Sequence, residues 1–125
     1  MSTTTRLSPA ELKSKVDELN SMILEGKIME AFEAFYADDV VMQEGSEEPF
    51  VGKKANRERE RQFVEGLTEL RSVKLKDVAI GDGVTMSQWH FDYTHSEWGD
   101  ASYDQVAVQR WNDDGRIKHE RFFKA

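Results

Sequence analysis

The sequence predicts an α+β domain, with three helices first and a strongly curved antiparallel sheet after them, forming a cone-shaped α+β barrel. Two observations carry this. Apolar residues recur at helical spacing as far as about residue 67, and after Gly66 the pattern changes to long strand-like runs broken at 81–83, 98–100 and 112–115. A chain of 125 residues also supports one core but not two, so the helices have to cover the apolar face of that sheet. A sheet curled round helices leaves a pocket at the wide end of the cone.

Residues 1–6 read as a flexible tail and 7–125 as a single domain. The first helix is announced by Ser8 and Glu11 at capping-box spacing, Pro9 at the first helical position, and Leu7 with Leu12 as a hydrophobic staple. Leu12, Val16, Leu19 and Ile23 then form one apolar stripe, and Gly26 is the stop. A second helix follows from about Lys27, with Ile28, Phe32 and Phe35 on one face and the Asp38-Asp39 pair at its end. Residues 40–44 read as a short strand and 45–49 as a loop. A third helix runs from Gly52 to about Leu67, and its Phe63–Leu67 face, extended backwards, meets Asn56 and Glu60. Strands are expected at 71–80 and 84–97, then a closing hairpin of 103–111 and 116–124 around the turn Asn112-Asp113-Asp114-Gly115.

Composition narrows the function. A formal charge of −7 argues against nucleic acid and against an anionic membrane surface. Without Cys there is neither a thiolate nucleophile nor a Cys-ligated zinc, and no His-Glu-x-x-His spacing occurs, so neither metal nor cofactor is expected. No phosphate loop, dinucleotide fingerprint or nucleophile elbow is present. The polar N-terminus and the absence of a long apolar run point to the cytoplasm.

The order of elements and several local motifs resemble the nuclear-transport-factor-2-like superfamily, especially its SnoaL-like members and ketosteroid isomerase. The matching stretches are Gly26-Lys27-Ile28, Phe35 to Met42, Phe50 to Ala55, and Arg110 to Ile117. The resemblance implies a cystatin-like cone, covering 7–125, in which an isomerase, a cyclase, an epoxide hydrolase, a dehydratase or a mere binding protein can be built. It implies a carboxylate at the end of the first strand, where this chain has Glu44. It also implies an oxyanion pair at positions held here by Leu19 and Ala107, and a third-helix Tyr at the position of Glu60. Without the oxyanion donors, steroid isomerisation is not expected. SnoaL-like cyclases place an acid on the last strand, where Glu120 stands. The same alignment points Gln105, Ala107 and Gln109 into the cavity, and makes Tyr36 and Phe63 further ligand contacts.

Glu44, Glu60 and Glu120 are therefore the carboxylates of interest. Sharing an apolar pocket would raise at least one pKa toward neutrality and make it a general acid or base. Glu60 also belongs to the alternating run Arg57 to Arg61, which by itself reads as a solvated helix face. His90 is a possible acid/base partner, although a hydrogen-bonded structural His is the commoner outcome. Trp89, Phe91 and Tyr93 form one stripe of their strand, and Gln88, His90 and Asp92 the other. Either lines the pocket, depending on whether the loop at 98–100 has two or three residues. If the aromatic stripe faces inward, Trp89 contacts a flat apolar ligand; if outward, it makes an apolar patch for the back-to-back homodimer common in the superfamily. The leading functional expectation is a cofactor-independent isomerase or lyase acting on a small apolar carbonyl compound, with Glu120 or Glu44 moving the proton. The alternative is a non-catalytic ligand-binding or dimerisation domain.

Overall fold

The computed structural model describes residues 7–125, so the expected tail at 1–6 lies outside the described residues. The elements are α1 (Pro9–Leu24), α2 (Ile28–Phe35), β1 (Tyr36–Glu44), β2 (Phe50–Val51), α3 (Lys53–Gly66), β3 (Leu67–Ile80), β4 (Val84–His95), β5 (Gly99–Trp111) and β6 (Ile117–Lys124). The six strands form one open, strongly curved sheet in the order β2-β1-β6-β5-β4-β3. All pairings are antiparallel except β1 with β6, which is parallel, so the sheet is mixed rather than wholly antiparallel. The parallel pair arises because the long α3–β5 excursion brings β6 back beside the first strand in the same direction.

α1 starts as its residues dictate. The Ser8 side chain accepts from the Glu11 backbone N–H at 3.2 Å, and Glu11 accepts from the Ser8 N–H at 2.8 Å. It ends in a Schellman arrangement at Gly26 (φ 81°), with the Lys27 N–H donating to Met22 at 2.9 Å and the Gly26 N–H to Ile23 at 3.0 Å. Leu12, Val16 and Leu19 are fully buried and pack with Phe32, Phe35, Val40, Met42, Trp111 and Ile117 into the core.

Several boundaries differ from expectation: β3 begins at Leu67 rather than 71 and β5 at Gly99 rather than 103, and two further differences have a local cause. α2 stops at Phe35, one residue before Tyr36, and Asp38 and Asp39 lie inside β1 as exposed positions rather than ending the helix. The strand begins early because Tyr36, Ala37 and Val40 have buried positions to fill beside β6, which outweighs the weak strand propensity of the Asp pair. The two-residue β2 lies between the expected loop at 45–49 and α3, where the sequence predicts no element, and Asn56 of α3 holds it. The Asn56 amide donates to the Phe50 carbonyl at 2.9 Å and to that of Gly52 at 2.8 Å.

Register settles which face of each strand looks inward. His95 pairs with Gly99, so residues 96–98 form a three-residue loop, and Trp89 stands opposite Gln105. Paired residues share a face. The aromatic stripe Trp89, Phe91 and Tyr93 is therefore on the concave side with Gln105, Ala107 and Gln109. Among the described residues, no helix is long and apolar enough to cross a membrane.

Candidate active site

The concave face of the sheet, the start of β1 and the inner face of α3 enclose a cavity of about 670 Å³. That volume suits a ligand of small-drug size. Aromatic rings make up much of its wall, including Phe63 from α3, Trp89, Phe91 and Tyr93 from β4, and Tyr103 from β5. Ala107 lies between Gln105 and Gln109 on β5, and its short side chain leaves the middle of the floor open.

Glu120 is the central polar group. It is buried (2% exposed) on the cavity wall, and both its oxygens are held. Tyr36 donates its hydroxyl to Oε1 at 2.6 Å, and Gln109 Nε2 donates to Oε2 at 2.7 Å. Burial pushes its pKa up to about 7, against the lowering effect of these two hydrogen bonds, with Glu60 adding a further push. The Tyr36 phenol is driven upward in turn, first by its burial and then by the negative charge of Glu120.

A relay behind Gln109 fixes its orientation. Trp111 Nε1, which can only donate, gives its hydrogen to Thr85 Oγ1 at 2.9 Å. The Thr85 hydroxyl then donates to Gln109 Oε1 at 2.8 Å, which leaves Nε2 facing Glu120. Glu120 Oε2 is therefore always an acceptor. The proton of the neutral acid belongs on Oε1, where the Tyr36 hydroxyl can rotate from donor to acceptor.

The other expected residues fall into three groups. Glu60 lines the cavity despite its place in an alternating charged run, because α3 turns the Asn56–Glu60–Phe63 side of the helix inward. Its carboxyl makes no hydrogen bond within the described chain, and burial raises its pKa, opposed by Arg59 and reinforced by Glu44. Glu44 also borders the cavity but is committed to Arg59, whose Nη2 donates to its Oε1 at 2.7 Å. Trp89, Gln105, Gln109, Phe63 and Tyr36 all line the cavity. Gln105 is nine-tenths buried (9% exposed), and its amide has no hydrogen-bond partner within the described chain.

His90 does not reach the cavity. Alternation along β4 turns it to the convex face, where its Nδ1 pairs with Asp104 at 2.7 Å, and Asp104 also receives Lys76 Nζ at 3.1 Å. A role for His90 beside the cavity carboxylates is thereby corrected. Its strand position is even where that of the inward Trp89 is odd.

Several contributors were not singled out from sequence. Thr85 and Trp111 orient Gln109, Arg59 pairs with Glu44, and the Tyr103 hydroxyl shares a hydrogen bond of 2.9 Å with that of Tyr93, a member of the expected aromatic stripe. Trp98, half-exposed at the mouth, stacks on His95 with ring centroids 3.7 Å apart. The register of β4 against β5 would have found Thr85, which pairs directly with Gln109. Among the described residues, no group of three His, Asp or Glu side chains is arranged to hold a metal ion.

Comparison with known proteins agrees with this architecture. A candidate SnoaL-like polyketide cyclase from Mesorhizobium loti superposes with a TM-score of 0.79 at 22% identity, covering 94% of this chain and 99% of that one. A second candidate SnoaL-like polyketide cyclase, from Jannaschia sp. CCS1, gives 0.76 at 13% identity, covering 96% and 90%. An NTF2-like protein of unknown function from Burkholderia pseudomallei K96243 gives 0.75 at 14% identity, covering 95% and 92%. At these identities the likeness shows the fold. No curated protein matches the sequence. The fold is shared with an NTF2-like protein, the family model of the SnoaL-like domain matches residues 16–120, and the chain belongs to the SnoaL-like domain family.

Proposed function

We propose that this protein is a cofactor-independent proton-transfer enzyme, an isomerase or lyase in type, acting on a small and largely apolar carbonyl compound. The single observation that carries this reading is Glu120, a carboxyl buried in the wall of an aromatic cavity, with a pKa near 7 and a donor on each oxygen. A group of that pKa is half ionised at neutral pH and can both take and return a proton.

In this reading ionised Glu120 removes a proton from the carbon next to the carbonyl, and the C–H electron pair moves to make the enolate. Oε1 receives the proton, which frees the Tyr36 hydroxyl to donate to the developing enolate oxygen. Returning the proton to a different carbon completes an isomerisation; expelling a β-leaving group completes an elimination. Gln105 lies four residues from Gln109, roughly 13 Å along the strand. It would bind the far end of the ligand rather than the reacting carbonyl. Glu44, tied to Arg59, shapes the mouth.

The test is solvent deuterium exchange into the α-positions of 1- and 2-tetralone at pH 7.5, followed by proton NMR. Exchange above the buffer rate is expected for the native protein, falling on the order of 10²-fold or more in Glu120→Gln. Equal rates in the two proteins sink the reading. A non-catalytic ligand-binding role is the second reading, favoured by Leu19 and Ala107. Leu19 packs in the core and Ala107 offers the cavity no donor, so neither expected oxyanion position can serve.

A further inference from the structure

We propose that the ligand of this cavity carries a protonated amine on a flat, ring-bearing body, and that the Glu60 carboxylate is its counter-ion. The inference rests on the cavity being the ligand site and names the chemical class it accepts.

Charges on the wall are not balanced. Arg59, the guanidinium of the lining, is matched by Glu44 at 2.7 Å, and lies over the rings of Phe50 and Phe122 at 5.3 and 5.7 Å. Lys124 sits exposed at the rim, over the Tyr103 ring at 4.5 Å. Of the two carboxylates further in, Glu120 has a donor on each oxygen, whereas Glu60 has no donor among the described residues and, of the cations, feels only the charge of Arg59. Gln105 adds a second polar group without a partner among the described residues, nine-tenths buried on the β5 wall, whose amide can accept from an ammonium through its oxygen.

Ligand entry expels water from these groups. A neutral apolar molecule would leave the half-buried Glu60 dehydrated with no hydrogen-bond donor, a costly state for a carboxylate. An anion would be repelled by Glu60 and Glu120 together. An ammonium supplies up to three donors and a charge opposite to that of Glu60. It would also lie among ring faces whose quadrupoles attract cations, beginning with Phe63, one turn along α3 from Glu60. The remaining rings, Trp89, Phe91 and Tyr93, suit the flat body.

Calorimetric titration with 1-naphthylmethylamine, 1-naphthylmethanol and 1-naphthylacetate at pH 7.5 tests this on one ring system with three charges. The native protein is expected to bind the amine about 10-fold more tightly than the alcohol, and the acetate least. Glu60→Gln should abolish the amine preference by weakening the amine and not the alcohol, and should not lower the melting temperature. In the native protein the preference should also shrink as pH falls and Glu60 is protonated, in the presence of Arg59 and Glu44 at the mouth and of Tyr36 and Glu120 deeper in. Alcohol binding equal to amine binding, or a preference that survives Glu60→Gln, overturns the inference and leaves the proton-transfer reading intact. If none of the three probes binds, the inference falls as well, and the exchange assay on Glu120 alone decides the proton-transfer reading.

Discussion

Gln109 and Glu120 face each other across the last hairpin because β6 carries one more residue than β5 between them and the turn. Trp111 pairs with Ile117, but Arg110 pairs with His119 and Gln109 with Glu120, so Lys118 is an extra residue opposite the Arg110–Trp111 step. Such a bulge lets Ile117 and Glu120, three apart in sequence, both point inward. Regular pairing from the same turn would have set Glu120 opposite Val108, on the convex face. The acid of this site is made by a one-residue irregularity.

The raised pKa of Glu120 makes stability depend on pH. Its folded value is about 7 against an ordinary 4.5, so between those values the folded state holds a proton that the unfolded state has lost. Stability contributed by this group is complete below pH 4.5 and is lost as pH rises through 7, by roughly 3 kcal/mol at most. Glu120→Gln keeps partners for Tyr36 and Gln109 without the charge. Urea unfolding at pH 5 and pH 8 should show the variant gaining stability over the native protein at pH 8, with little difference at pH 5.

Tyr36→Phe removes a donor to the ionised form of Glu120, so the carboxyl should titrate above its native value. Carbon-13 NMR of the Glu carboxyls follows this directly. Thr85→Val acts one step further back, orphaning Trp111 Nε1 and freeing the Gln109 amide to flip. Its expected cost is roughly 1–3 kcal/mol, again with an upward shift of Glu120. An unmoved titration in both variants would mean that the two hydrogen bonds do not hold the carboxylate.

Gly66 ends α3 against the ring of His95, and a Cβ there would lie 2.1 Å from His95 Nε2. The ring cannot retreat, since Trp98 stacks on it and its two nitrogens bond the Gln62 carbonyl and the Glu97 N–H. Gly66→Ala should cost about 2 kcal/mol or more and quench or shift Trp98 fluorescence. Native-like melting would show that the ring has room to move.

The homodimer expected from the family would use the convex face of the sheet. Register sets Met86 beside Val108, and Val106 between Gln88 and Phe123, a patch in which Met86 and Phe123 are exposed. Sedimentation velocity is expected to give a dimer that Val108→Glu converts to a monomer. A monomeric native protein would remove this proposal.

Local chemistry made the scaffold readable. Ser8, Pro9 and Glu11 specify where α1 begins, Gly26 where it ends, and Asn112 to Gly115 the last turn, each through contacts within a few residues. The early end of α2 and the two-residue β2 were not readable, because Tyr36 and Phe50 take their conformations from β6 and from Asn56, distant in sequence.

By itself, then, the sequence determined the helices, the strand-rich second half, the family and the identity of the carboxylates. Only the tertiary structure decided which of them share a cavity. A strand's faces alternate residue by residue, so the loop length at 96–98 and the bulge at Lys118 decide together that Trp89 and Glu120 look inward and His90 outward. Side-chain parity is set by pairing partners far along the chain, and no local pattern around Glu120 records it.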